Sequence, residues 1–245
     1  MLWQWLIGDS ATTGSTNDSG SIDSTVIAAD ADHFSIGTYT GSGSNATVGH
    51  GLTAAPEFIN VKQLNSTASW SALIPQIGNS KTIFLNLTNA TQTVGTAYWQ
   101  NTDPTSSVFS IGTNNAVNAS SSTYLFQCFR SVPGVCKVGS FEGNGSTDGT
   151  YVSLGFKPAF VLFKSVDSTS DWQIFDKSRN GFNVRNNELE ANDTATEDTS
   201  TNFLDLLSDG FKMRTASDPN VSETFIYLAM ADIGGNGTLP PIYGR

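Results

Sequence analysis

Ile36-Gly37-Thr38-Tyr39-Thr40-Gly41-Ser42-Gly43-Ser44 returns 102 residues later as Val138-Gly139-Ser140-Phe141-Glu142-Gly143-Asn144-Gly145-Ser146, with apolar, small and glycine residues in the same places. The offset persists along the chain. Pro56-Glu57-Phe58 and Val61-Lys62 align with Pro158-Ala159-Phe160 and Phe163-Lys164, Ser66 to Trp70 with Ser168 to Trp172, and Val108 to Ile111 with Gly210 to Met213. After a slip of one residue, Thr123 to Phe126 meets Thr224 to Tyr227. Matched blocks in one order point to an internal duplication, and a repeat has to be recognised before any other decision about the fold.

Within each copy the pattern is that of strands. Phe34 to Tyr39 alternates apolar with small or polar residues, the period of a half-buried strand. Gly41 to Ser44 and its counterpart Gly143 to Ser146 read as hairpin turns, and Asp148-Gly149, Asn180-Gly181 and Asp209-Gly210 supply further turn chemistry. Phe160 to Phe163 is apolar on both faces, as a central strand should be. About seven strands per copy fit an antiparallel sandwich. The expected fold is all-β: two tandem, internally duplicated antiparallel β-sandwich domains, jelly-roll-like, with an extended N-terminal arm. The boundaries are 1–32 for the arm, 33–131 for the first repeat, 132–135 for a linker, 136–233 for the second repeat and 234–245 for an extended tail.

The arm has two parts. Trp3, Trp5, Leu6 and Ile7 form an apolar hook that either docks on a partner or folds back on the first domain. From Gly8 to Thr25, 16 of 18 residues are Gly, Ser, Thr, Asn or Asp, the composition of a flexible tether. Charged residues make up only 14% of the chain and the net charge is −10, which argues against nucleic acid, because phosphate binding needs clustered Lys and Arg. No apolar run reaches the length of a membrane span, and the N-terminus lacks the basic flank of an export signal. The acidity is concentrated in the second repeat. That repeat carries fifteen carboxylates against eight basic residues, while the first carries two against three.

Chemistry is harder to find. The only histidines are His33 and His50, and His50 between Gly49 and Gly51 reads as a surface or turn residue rather than a catalytic one. Two His and two Cys lack the spacings of a zinc site. Cys128 and Cys136 flank the bend at Pro133-Gly134 and could be bridged or remain reduced and buried. For glycoside hydrolysis, which needs a carboxylate pair about 5–10 Å apart, Asp171 with Asp176 is the best group available. Clustered oxygens at Asp167 to Asp171 and Asn144 to Asp148 raise calcium, but the first repeat has no carboxylates at the former place, which suggests a shared Asx-type turn instead. No catalytic residue, metal ligand or cofactor is expected. For surface binding, Tyr98, Trp99 and Tyr151 are aromatics beside polar loops on which a sugar could stack, whereas Trp70 and Trp172 occupy equivalent places and read as core.

Thr38 to Gly43 leading into Val48-Gly49-His50-Gly51-Leu52 and Ala55-Pro56-Glu57, then Leu85 to Ala90, Tyr98-Trp99 to Pro104, and Asn118-Ala119-Ser120 to Cys128-Phe129, resemble a domain of unknown biochemical role that recurs in tail-fibre and other appendage proteins of aquatic bacteriophages, including cyanophages. The resemblance covers about residues 33 to 232. It implies a non-enzymatic virion structural protein on the particle exterior, with other virion proteins, copies of itself (a trimer by analogy with fibres) and a host-surface glycan or protein as partners. Capsid decoration is the alternative, and a polysaccharide-degrading enzyme a remoter one.

Overall fold

The computed structural model describes residues 14–29 and 32–232. The chain divides into two compact units, one taking it up to Phe84 together with Gln92–Arg130, the other taking Leu85–Thr91 together with everything from Ser131 onward. The described residues are nearly all-β: their only helices are a turn of 3-10 helix at Pro75–Ile77 and the four-residue α1, Asn115–Asn118. The first unit contains β1 Ser15–Asn17, β2 Ser24–Ala28, β3 Phe34–Thr40, β4 Ala46–Gly49, β5 Phe58–Gln63, β6 Ser71–Leu73, β7 Lys81–Phe84, β8 Gln92–Thr93, β9 Val108–Ile111 and β10 Thr123–Phe129. The second contains β11 Cys136–Glu142, β12 Tyr151–Ser153, β13 Pro158–Ser165, β14 Gln173–Asp176, β15 Leu189–Glu190, β16 Leu204–Leu206, β17 Gly210–Met213 and β18 Thr224–Ala231.

In the first unit one sheet runs β1-β2-β3-β10-β5-β6-β7-β8, and β4-β9 is a separate ribbon. In the second the larger sheet runs β11-β18-β13-β14-β15 and the smaller β12-β17-β16. The order β3-β10-β5-β6 thus recurs as β11-β18-β13-β14, and the register recurs with it. Gly37 is paired with Phe126 and Gly139 with Tyr227; Tyr39 is paired with Tyr124 and Phe141 with Phe225. The glycines are required there, because a Cβ at Gly37 or Gly139 would fall within 2.5 Å of the facing aromatic ring. Next to them the rings pack in the same way in both units. Tyr39 stacks on Tyr124 at 5.0 Å and meets Phe109 edge-on at 6.4 Å, while Phe141 stacks on Phe225 at 5.4 Å and meets Phe211 edge-on at 5.7 Å. Each core lies between its larger sheet and the ribbon that carries Phe109 or Phe211. As its apolar pattern suggests, β13 runs between β18 and β14.

The repeated Gly-x-Gly stretch is not a hairpin turn. β3 pairs with β2 and β10 while β4 pairs with β9, so Gly41 to Asn45 carries the chain from one sheet to another, as does its counterpart in the second unit. A crossing of this kind leaves ladder groups that need other partners. Asn118, fully buried, supplies them: its Oδ1 accepts from the Ser42 N–H (2.8 Å), its Nδ2 donates to Ser44 O (2.6 Å) and Gly112 O (2.8 Å), and its carbonyl accepts from the Gly43 N–H (3.0 Å). Asn220, also fully buried, does the same from 102 positions on. It accepts from the Asn144 N–H (3.3 Å) and the Gly145 N–H (2.6 Å) and donates to Ser146 O (2.8 Å) and Thr215 O (2.7 Å). Gly43 and Gly145 hold φ of 74° and 62°, a region that disfavours side chains. A second polar clamp is repeated too. Lys62 Nζ donates to the carbonyls of Gln63, Ser66 and Ala68, and Lys164 Nζ to Ser165 O, Ser168 O and Ser170 Oγ.

Two expectations about organisation need correction. Over its described part the polar arm is a hairpin rather than a flexible tether: β1 pairs with β2, β2 pairs with β3, and Ser24 Oγ is buried against Gly49 O at 2.7 Å. The free edge of β3 and the apolar side chains of Ile22 and Val26 provide what the composition alone could not. Likewise, Leu85–Thr91 does not stay with the first repeat. Thr91 N–H donates to Val166 O (3.1 Å) and Ser170 N–H to Thr88 O (3.0 Å), so its backbone is satisfied within the second unit. The hook Trp3, Trp5, Leu6 and Ile7 and the tail 234–245 lie outside the described residues. Cys128 and Cys136 are both buried and are not joined in a disulfide.

Removing either carboxamide would leave several buried groups without partners, at about 1–3 kcal/mol for each group stranded. Asn118→Ala and Asn220→Ala are each expected to lower stability by roughly 3 kcal/mol in urea unfolding followed by tryptophan fluorescence. A loss below about 0.5 kcal/mol, the range of an ordinary surface change, would show that the crossings do not need them.

Candidate functional site

The aromatics singled out for surface binding separate on inspection of their surroundings. Trp99 is 0% exposed and part of the first core, so it is not a binding residue; Val94 to Asn101 folds as a turn whose Trp99 ring points inward, against Tyr98. Tyr98 is half-buried and packs edge-on against Phe84, leaving it a core-edge residue. Tyr151 remains at the surface, 45% exposed, with its hydroxyl donating to Asp209 Oδ2 at 2.6 Å. Phe182, 83% exposed in the loop between β14 and β15, was not legible as a surface residue because an isolated Phe next to Asn180-Gly181 reads equally well as core.

Trp172, just before β14, is buried, whereas Trp70, its counterpart before β6, is half-buried. The difference lies in the covering segment: Trp172 N–H donates to Asn192 Oδ1 (2.7 Å) and the Ala191 N–H to Trp172 O (2.8 Å), and these residues follow β15 in the second unit.

His50 is fully buried rather than at the surface. Its Nδ1 accepts from the Leu52 N–H (3.1 Å) and its Nε2 is 3.1 Å from Thr105 O. An amide can only donate and a carbonyl only accept, so the ring is neutral with its proton on Nε2. Burial lowers its pKa from the ordinary histidine value. A second buried polar group is committed in the same way. Lys164, lowered to about 8 by burial, gives its protons to three loop oxygens.

Carboxylates gather in an acidic region around β15. Asp171, Glu190 and Asp193 each place a carboxylate oxygen within 4.8 Å of the other two. Asn192 Nδ2 donates to Asp171 Oδ1 at 2.6 Å, and Asp193 Oδ1 accepts the N–H groups of Thr194 and Ala195. Glu188, two residues before Glu190, is buried, and burial pushes its carboxyl up to about 7. Asp176 stands apart, ion-paired with Arg179, whose other nitrogen reaches Glu197 at 2.9 Å. The carboxylate pair considered for glycoside hydrolysis is therefore divided between two settings.

The unfolded chain takes up a proton on His50 near pH 6.5 and the folded chain only at lower pH, so His50 contributes stability that is present above about pH 6.5 and lost as the pH falls below it. Glu188 and Asp218, raised by burial to about 7 and about 6, act with opposite sign, their contribution fading as pH rises through those values. The wild type minus His50→Gln difference in urea-unfolding free energy should therefore be larger at about pH 7.5 than at about pH 5.5. An equal difference at the two values would contradict a buried neutral His50.

The chain belongs to a sequence family described as "Domain of unknown function (DUF7483)", which matches residues 1–233. No curated protein and no solved structure matches it.

Proposed function

We propose that this member of the family is a non-enzymatic structural subunit of a bacteriophage particle, a tail-fibre or appendage protein exposed on the virion that contacts the host surface. The observation that carries the reading is how the buried polar groups are used. His50, Asn118, Lys164 and Asn220 are groups able to bind or catalyse, yet each has its polar atoms bonded to loop backbone or loop side chains. Polar burial spent on holding loops rigid suits a scaffold that presents them, since a preorganised loop loses little entropy when it binds. Tyr151 and Phe182 stand out from the second unit as rings that a sugar or a protein surface can cover. The recurring strand order and register support a finer proposal, that the two units are copies of one jelly-roll-like sandwich. The resemblance of the sequence to appendage domains supports the setting, and with it assembly among copies and other virion proteins.

Purified protein is expected to bind envelope preparations of the host, and antibody labelling to mark the outside of particles. Tyr151→Ala and Phe182→Ala should each weaken binding roughly fivefold, the ~1 kcal/mol of one stacked ring. Absence of binding, with normal adsorption of particles that lack the protein, would replace host contact by capsid decoration; release of reducing ends from host polysaccharide would replace it by catalysis.

A further inference from the structure

From Asn186 to Ser200, Glu188 is the only buried residue, so the side chain that anchors this stretch within the second unit is an acid. It stands just before β15 and is 7% exposed. Gln173, from β14, donates a side-chain hydrogen bond to its carboxyl, while Oε1 is buried without a partner. The charges that bear on it are all of its own sign: Glu190 in β15, Asp198 across a backbone bridge, and Asp218 in the loop before β18. Among the described residues Glu188 forms no ion pair. Arg179 is paired with Asp176 and Glu197, and the charges that bear on Arg185 are those of Asp176 and Asp205. A buried carboxyl in such company is tolerated with its proton and costly without it.

The stretch that Glu188 anchors is otherwise lightly attached. Its ladder to β14 consists of Gln173 with Glu190 and Ile174 with Leu189. Glu188 and Asp198 hold the two ends of the loop together, the Glu188 N–H donating to Asp198 O (2.9 Å) and the Asp198 N–H to Glu188 O (3.1 Å). Between them the loop covers the buried Trp172 through two bonds, from the Trp172 N–H to Asn192 Oδ1 and from the Ala191 N–H to Trp172 O. Asp193 to Ala195 and Thr196 are exposed, and no apolar side chain of the loop is buried, so hydrophobic contact adds little to hold it down.

We propose that Glu188 is a pH-operated latch, which with its proton holds residues 187–198 over Trp172 and on ionising lets that segment open. The sign follows from the two states. Closed, burial keeps the carboxyl up to about 7; open, it returns to the ordinary glutamate value of about 4.3. Opening is therefore increasingly favoured as the pH rises between those values and levels off above them. The latch goes beyond the virion assignment and does not depend on it.

The test is native-state amide hydrogen exchange of the full chain at about pH 5 and about pH 8, with rates corrected for the intrinsic pH dependence of exchange. Protection of the Glu188, Ala191 and Asp198 N–H groups is expected to fall at least about tenfold from the lower to the higher pH, while β13 and β18 keep theirs. Glu188→Gln, which has the shape of the protonated acid and cannot ionise, should remove most of that fall. The proposal is overturned by any of three results: equal protection of the three groups at the two pH values, a fall as large in Glu188→Gln as in the wild type, or a parallel fall in β13 and β18, which would make the loss global.

Discussion

A fully buried asparagine at the point where the chain leaves one sheet for another is the constraint on which both units rest. A strand that changes sheets must give up its ladder partners over several residues, and those amides and carbonyls cannot be left dry. A carboxamide offers two donors and an acceptor from one short side chain, and its own backbone adds another acceptor. Asn118 and Asn220 use all of these on equivalent loops, and glycine at Gly43 and Gly145 lets the backbone fold around them. Where the crossing is fixed, the facing strands bring Tyr39 onto Tyr124 and Phe141 onto Phe225, and the two cores close on the same aromatic pattern. Lys62 and Lys164 repeat the device at the loop after β5 and β13.

The units part company between their fourth matched strand and the strand that carries Phe109 or Phe211. Residues 74–107 and 177–209 are nearly equal in length but opposite in use. The first extends the sheet with β7 and the exposed β8 and puts the buried Trp99 into the core. The second adds β15, β16 and a run of carboxylates, covers Trp172 and leaves Phe182 outside. A shared frame with one divergent segment explains how the first repeat can be close to neutral and the second strongly acidic without either losing its core.

Much of the frame was legible because its signals are local and strong. The double-sided apolar run Phe160 to Phe163 does lie between two neighbours, whereas β3 alternates in the opposite sense to its apolar pattern: Ser35, Gly37 and Tyr39 are buried and Ile36 and Thr38 only half-buried. The spacing from Asn118 to Asn220 stood in the same 102-residue register, so the staples could have been found by asking which polar residues repeat as well as which apolar ones. What escaped depends on tertiary partners. Ser15–Asn17 and Ser24–Ala28 are strands because β3 offers an edge, not because their composition favours order. His50 and Trp99 sit among Gly, Asn and Thr, which locally resemble surface loops, yet both side chains turn into the core. Gly41 to Ser44 has the composition of a hairpin turn, and only the pairing of β4 with β9 shows that it crosses between sheets. For the acidic group, Asp171 lies far in sequence from Glu190 and Asp193, and only the pairing of β14 with β15 brings them together.

Whether one buried asparagine fixes the sheet crossing in each unit can be read from native-state amide hydrogen exchange at four loop positions. The N–H groups of Ser42, Gly43, Asn144 and Gly145, although they sit in glycine-rich loops, should exchange as slowly as those of β3 and β11. Exchange at the rate of an unprotected loop at these four positions would mean that the asparagines do not hold the crossings.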